Sequence, residues 1–209
     1  MSAADRIVVI AGASGESGRA VASALTGAGA TVVAVGSSLG RLADVAASAR
    51  FECDLAQPSA VDAVASRIRD EVGAVDGLIH LVGGWRSGQS DEGFEWLERR
   101  ILTTLRNTTR AFEAELAASP SGRLGIVSST SVDRPAWSNA NYVTLKAASE
   151  TWVGAIASRW AKGGTAAAVT FAVRSLGDGG TPVEVLAEHC AELWDAPASE
   201  LNGSRQVLA

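Results

Sequence analysis

An apolar run of strand length, Ile7-Val-Val-Ile-Ala11, leads directly into Gly12-Ala-Ser-Gly15-Glu-Ser-Gly18, and a helical pattern through Val21, Ala24 and Leu25 follows. No other stretch limits the possible folds so sharply. Glycine lets the backbone turn abruptly and lets a pyrophosphate approach main-chain N–H groups. The helix that begins there adds its dipole, which favours an anion at that end. The segment reads as a strand–turn–helix unit suited to a dinucleotide, with a plain βα turn as the alternative.

The rest of the chain repeats the alternation. Strands are expected at Ile7–Ala11, Thr31–Val35, Gly77–Val82, Leu124–Ser128 and Ala167–Val173, with a weaker one near Arg50–Cys53 and a closing one at Gln206–Leu208. Helical spacing covers Gly18–Ala28, Ala60–Val72, Phe94–Ala118, Tyr142–Ala161 and Val183–Trp194. Alternating strands and helices predict an α/β fold, a doubly wound parallel sheet with helices on both faces. At 209 residues and 47% hydrophobic content, residues 1–209 suit one dinucleotide-binding domain that includes the catalytic site.

Composition excludes several functions. A net charge of −5 with no Lys/Arg cluster argues against a nucleic-acid partner. No apolar run approaches ~18 residues and no leader pattern opens the chain, so no membrane partner and a cytoplasmic location are expected. Cys53, Cys190, His80 and His189 are too few and too scattered for a metal site.

The chemistry is concentrated around Tyr142-Val-Thr-Leu-Lys146, with Ser129 thirteen residues upstream of the tyrosine. A Tyr and a Lys at i and i+4 share one helix face. A phenol titrates near ~10, and a neighbouring cation lowers that value toward the range useful for exchanging a proton with a carbonyl oxygen. The Ser129 hydroxyl could hold that oxygen.

Together these residues resemble the short-chain dehydrogenase/reductase family, and the resemblance runs from Arg6 to Leu208. Gly12, Gly15 and Gly18 match the family's glycine motif. Asp54 matches its adenine-contacting acid, and Gly83 stands where its Asn-Ala-Gly ends the fourth strand. Ser129, Tyr142 and Lys146 match its catalytic set. The resemblance implies that Ser14, Glu16, Ser17, Leu55 and Thr181 also line the cofactor, beside Tyr142 and Lys146.

Which nicotinamide is bound turns on the second strand. An acid at its end holds the ribose 2′-hydroxyl and selects NAD. Here that strand ends Gly36-Ser37-Ser38 with Arg41 nearby, so the group that repels a 2′-phosphate is missing. NADP is favoured over NAD.

The chain departs from the family in four places. Strand four ends His80-Leu-Val-Gly83-Gly84-Trp85 without the usual Asn, and Ile101 or Leu102 takes the place of a catalytic Asn. Val173-Arg174-Ser175 replaces a Pro-Gly, and a short Ser175–Thr181 segment stands where relatives carry a lid. Gly83-Gly84-Trp85 and Thr181-Pro182 look like the dihydropteridine reductase branch. That branch usually has the NAD-selecting acid and lacks the Ser, the reverse of this chain.

Trp85 and Trp137 are expected at the carboxyl edge of the sheet. There they could stack on a flat quinone, pterin or aromatic substrate, or else cover apolar surface or join a subunit interface. His80 reads as a satisfied core histidine. The expected function is an NADP(H)-dependent oxidoreductase acting on a carbonyl, secondary alcohol or quinonoid molecule. The alternative is a non-catalytic NADP-binding sensor or scaffold. A homodimer or homotetramer is expected through Phe94–Ala118 and Tyr142–Ala161, whose small side chains Ala147, Ala148, Thr151, Ala155 and Ser158 form one stripe beside Trp152 and Ile156.

Overall fold

Strand β1 (Ile7–Ala11) lies inside the molecule, and its side chains alternate between two apolar layers. Val8 and Ile10 join one cluster while Val9 and Ala11 join the other, which is why the run is continuously apolar. The structure, a computed structural model, describes residues 2–177 and 179–209.

Around β1 the sheet runs β3 (Ala49–Glu52), β2 (Thr31–Gly36), β1, β4 (Gly77–His80), β5 (Arg123–Ser129), β6 (Ala167–Val173) and β7 (Arg205–Val207). Every neighbouring pair is parallel. One face carries α3 (Pro58–Glu71), α5 (Thr104–Ala118) and α6 (Ala140–Trp160), which supply Val61, Ile68, Phe112, Leu116, Val153 and Trp160 to a shared core. The other carries α1 (Glu16–Gly27) and α7 (Val183–Ala191), with Val21, Leu25, Leu186 and Cys190 against Ile10, Ile79 and Phe171. Short helices α2 (Leu39–Leu42) and α8 (Ala198–Leu201) were not foreseen. The chain is a doubly wound α/β protein, as its alternation predicted.

The strand order reverses between β1 and β4. Parallel strands leaving in opposite directions open a crevice at their carboxyl ends there, where such sheets hold ligands.

The helix expected at Phe94–Ala118 is present as an unbroken helical run from Asp91 to Ala118, but it is not uniform. Helix α4 (Asp91–Glu98) begins with Ser90 Oγ accepting from Gly93 N–H at 3.1 Å. It joins α5 through a π-helical turn at Arg99–Thr103. The wide turn sends Ile101 inward with Leu97 and Leu145, against which Tyr142 packs. Helical periodicity alone carries no mark of one extra residue in a turn.

Arg123 is another surprise. It starts β5 fully buried and donates to the carbonyls of Leu193, Gly122, Thr165 and Ala196 at 2.7–3.1 Å. A buried guanidinium satisfied in this way ties β5 to the segment after α7 with no carboxylate partner among the described residues.

Candidate active site

The glycine turn is shaped by contact. Gly12 has φ +89, and a Cβ there would lie 3.0 Å from the main-chain nitrogen of Val82. Gly18 lets α1 cross the turn, since a Cβ would stand 2.6 Å from Gly12 O. Gly15 has only Gly12 O, at 3.7 Å, near its hypothetical Cβ, so the backbone is open in front of the helix terminus. Those first-turn N–H groups have no intrahelical acceptor.

A cleft of about 300 Å³ lies before this turn, lined by Gly12, Ser14, Gly15, Ser37, Arg41, Asp54, Leu55 and Gly83. A second of about 570 Å³ holds Ser17, Gly83, Trp85, Ser129, Tyr142 and Lys146. The two share Leu81, Val82 and Gly83, so they form one continuous groove. Its donors, hydroxyls and glycine-faced floor fit an elongated dinucleotide diphosphate.

Not every expected residue reaches the groove. Thr181 is buried and donates from Oγ1 to Leu208 O at 3.1 Å, which ties the loop before α7 to the end of β7. Trp137 is 79% exposed and lines neither cleft, while its carbonyl accepts from Gln89 Nε2. Glu16 and Ser38 also lie off the lining, and Gly18 acts as a spacer beneath it. The loop at Ser175–Thr181 closes on itself through Gly177 N–H to Thr181 O at 3.0 Å and Thr181 N–H to Ser175 O at 2.9 Å. Residue 178 of that segment lies outside the described residues.

Ser129 ends β5, and Tyr142 and Lys146 stand one turn apart on α6. Lys146 Nζ donates to Val127 O at 2.8 Å and lies 5.8 Å from the centroid of the Tyr142 ring. Burial pulls the lysine down to about 8, against the Glu150 carboxylate, which pulls it up. The phenol behaves differently from the sequence expectation. Burial pushes Tyr142 above its ordinary value, and the hydrogen bond with Ser129 opposes this only in part. In the chain alone, desolvation is the larger effect.

His80 is a satisfied core histidine. Its ring nitrogens lie 3.2 Å and 3.1 Å from the hydroxyls of Thr104 and Thr108. Burial, with Lys146 nearby, drives it down to about 3.

Several residues of the groove were not foreseen. Arg99 and Arg100 reach the cofactor-side cleft from the π turn, and Thr104 from the start of α5. Arg99 pairs with Asp54 at 2.7 Å, with both side chains more than half exposed, so the pair is worth little energetically. Arg174 lines the other cleft and has no ion pair among the described residues. The missing Pro-Gly was the one sequence signal for it. Glu52 ends β3 opposite Gly36, and its carboxylate accepts from Leu39 N–H at 2.9 Å. An acid thus approaches the Ser37–Arg41 segment from a neighbouring strand, not from β2.

Comparison with known proteins agrees with this picture. A family model described as short chain dehydrogenase matches residues 6–183. The chain is similar to 2,3-dihydro-2,3-dihydroxybenzoate dehydrogenase of Bacillus subtilis, 30% identical over 155 residues that cover 68% of this chain and 59% of that protein. The match thus spans less than two thirds of that relative's length. In fold it resembles the ligand-free aldohexose dehydrogenase of Thermoplasma acidophilum, with 18% identity and a TM-score of 0.84, covering 98% of this chain and 92% of that one. It also resembles a gluconate 5-dehydrogenase of Burkholderia cenocepacia in complex with NADP and tartrate, with 18% identity and a TM-score of 0.83, covering 98% and 94%.

Proposed function

The chain belongs to the short-chain dehydrogenase family, and from that premise we propose that it is an NADP(H)-dependent oxidoreductase acting on a carbonyl, secondary alcohol or quinonoid substrate. The observation that carries this reading is the convergence of Ser129, Tyr142 and Lys146 on a cleft continuous with the glycine turn.

The nicotinamide, when bound, supplies or accepts the hydride at the substrate carbon. Gly12, Ser14 and Gly15, with the first N–H groups of α1, hold its diphosphate, while Asp54 and Leu55 flank the adenine. Ser37 and Arg41 receive the 2′-phosphate. Lys146 holds the nicotinamide ribose and, as an ammonium, favours the phenolate of Tyr142. Tyr142 gives or takes the proton at the substrate oxygen, which Ser129 orients. The raised Tyr142 of the free chain supports a division of labour in which the phenol stays protonated until the site is filled.

Trp85 and Arg174 line the substrate side. A planar ring bearing an acidic group suits that pair, and the dihydroxylated dihydrobenzoate for which the Bacillus subtilis relative is named is the first alcohol to assay. Quinones and diketones test the reductive direction.

Tyr142→Phe is the decisive variant. It removes the proton-transfer group alone, so turnover should fall on the order of 10²–10⁴-fold while nucleotide affinity, read by titration calorimetry, stays nearly unchanged. Undiminished turnover in this variant would assign the proton to another group.

A further inference from the structure

Behind Ser129 and Lys146 lies a set of charged side chains that line neither cleft. Glu150 stands one turn beyond Lys146 on α6, with 19% of its side chain exposed. It accepts from Ser128 Oγ at 2.5 Å and from Arg205 Nε at 3.0 Å. Arg205 opens β7, donates to the Ser129 carbonyl at 3.3 Å and pairs with Asp133 at 3.2 Å. One guanidinium therefore joins the helix that carries Lys146, the strand end that carries Ser129 and the turn after it.

We propose that Glu150 is a positioning residue that keeps Lys146 charged, and that Arg205 anchors Glu150 and the Ser129 backbone to the last strand of the sheet. The inference rests on the reading of Lys146 as the cation of the reacting site.

The surroundings of Lys146 leave this task to Glu150. On α6 the lysine is flanked by Tyr142 and Glu150. From β4 it meets His80, which burial keeps neutral near pH 7. Asp133 and Arg205 lie behind Glu150 and face each other. The Val127 carbonyl gives one acceptor and no charge. A lysine only 7% exposed tends to shed its proton, and of these groups Glu150 is the carboxylate aligned to oppose that loss. A purely structural ion pair would fasten β7 to α6 just as well, yet it would leave the lysine's titration alone.

The composition of the chain makes the test direct. It contains two lysines, Lys146 and the exposed Lys162, and a single tyrosine. Lysine-selective isotope labelling and an NMR pH titration of the chain without cofactor therefore read Lys146, with Lys162 as internal reference. In Glu150→Gln the Lys146 pKa should fall by about one unit or more, given a carboxylate one helical turn away at intermediate effective dielectric. Lys162 should not move, and the absorbance titration of the lone Tyr142 should shift upward as its neighbour loses charge. Glu150→Asp, which withdraws the carboxylate by one methylene, should show a smaller fall and serves alone if the Gln variant does not fold. A Lys146 titration unchanged in a folded Glu150 variant would overturn the proposal. This readout needs no turnover, so it fails or holds separately from the Tyr142→Phe test.

Discussion

Lys146 is the residue where stability and the proposed function oppose each other. Its folded pKa of about 8 lies below the ordinary lysine value of 10.5, so folding shifts the balance toward the neutral amine. Between those values the unfolded chain binds the extra proton, and stability should rise as pH climbs through that window. Below about 8 the buried ammonium is a burden on the order of 3 kcal/mol. Lys146→Met keeps the shape and removes the charge. Melting curves of the cofactor-free chain from pH 7 to 10 should show the variant more stable at the neutral end. The difference between variant and parent should shrink toward the alkaline end. A variant that melts lower than the parent at pH 7 would mean the Val127 hydrogen bond outweighs the desolvation of the charge. Cys53, pushed up to about 11 by burial and by Asp54, acts equally in both proteins and drops out of that difference.

At the scale of elements, we propose that the loop joining β2 to α2 decides between the two nicotinamides. Ser37 and Arg41 line the cofactor-side cleft, and no carboxylate ends β2. Glu52 reaches the same loop from β3, but its carboxylate bonds the Leu39 N–H and is not part of the cleft wall. We therefore expect NADPH to raise the melting temperature more than NADH at equal concentration, because the tighter ligand stabilises by the larger RT ln(1 + [L]/Kd). Glu52→Gln should widen that gap by removing a nearby negative charge. An equal or greater shift with NADH would return the preference to NAD. The approach of Glu52 also shows what a sequence conveys and what it withholds. β1 and β6 begin and end where the apolar runs do, because each strand is buried on both faces and period carries the information. The glycine turn was equally legible, since only glycine tolerates the approach of Val82 and the crossing of α1. The π turn at Arg99–Thr103 was not, and Arg99 and Arg100 within it and Thr104 just after it line the groove. Thr181 and Trp137 were misplaced for a related reason. Loop side chains take their direction from tertiary hydrogen bonds, here to Leu208 and from Gln89, which leave no periodic trace.

At the scale of the molecule, the outer face of α5 and α6 presents the features expected of a contact between copies. Thr151, Ala155 and Ser158 are exposed on α6, and a groove of about 360 Å³ runs between Thr109, Arg110, Trp152, Ala155, Ile156 and Arg159. The apolar part of that face is smaller than the sequence suggested. Ile156 already lies in the core, and Trp152 is partly covered, with Nε1 donating to Thr109 Oγ1 at 2.9 Å. Close packing of small side chains, with Arg110 and Arg159 at the margin, would therefore contribute more than burial of large apolar groups. We propose a two-fold symmetric dimer, or a tetramer built from it, through this face. In such an assembly each helix meets its own copy, so one substitution acts twice. Ala155→Arg places two guanidinium groups at the centre of the stripe and should convert the assembly to single chains while leaving the fold intact, since Ala155 is exposed within one chain. Light scattering at micromolar concentration should give the parent twice or four times the 21.4 kDa of one chain and the variant that of one. A parent mass near 21.4 kDa, or a variant that stays assembled, would remove this face from the interface.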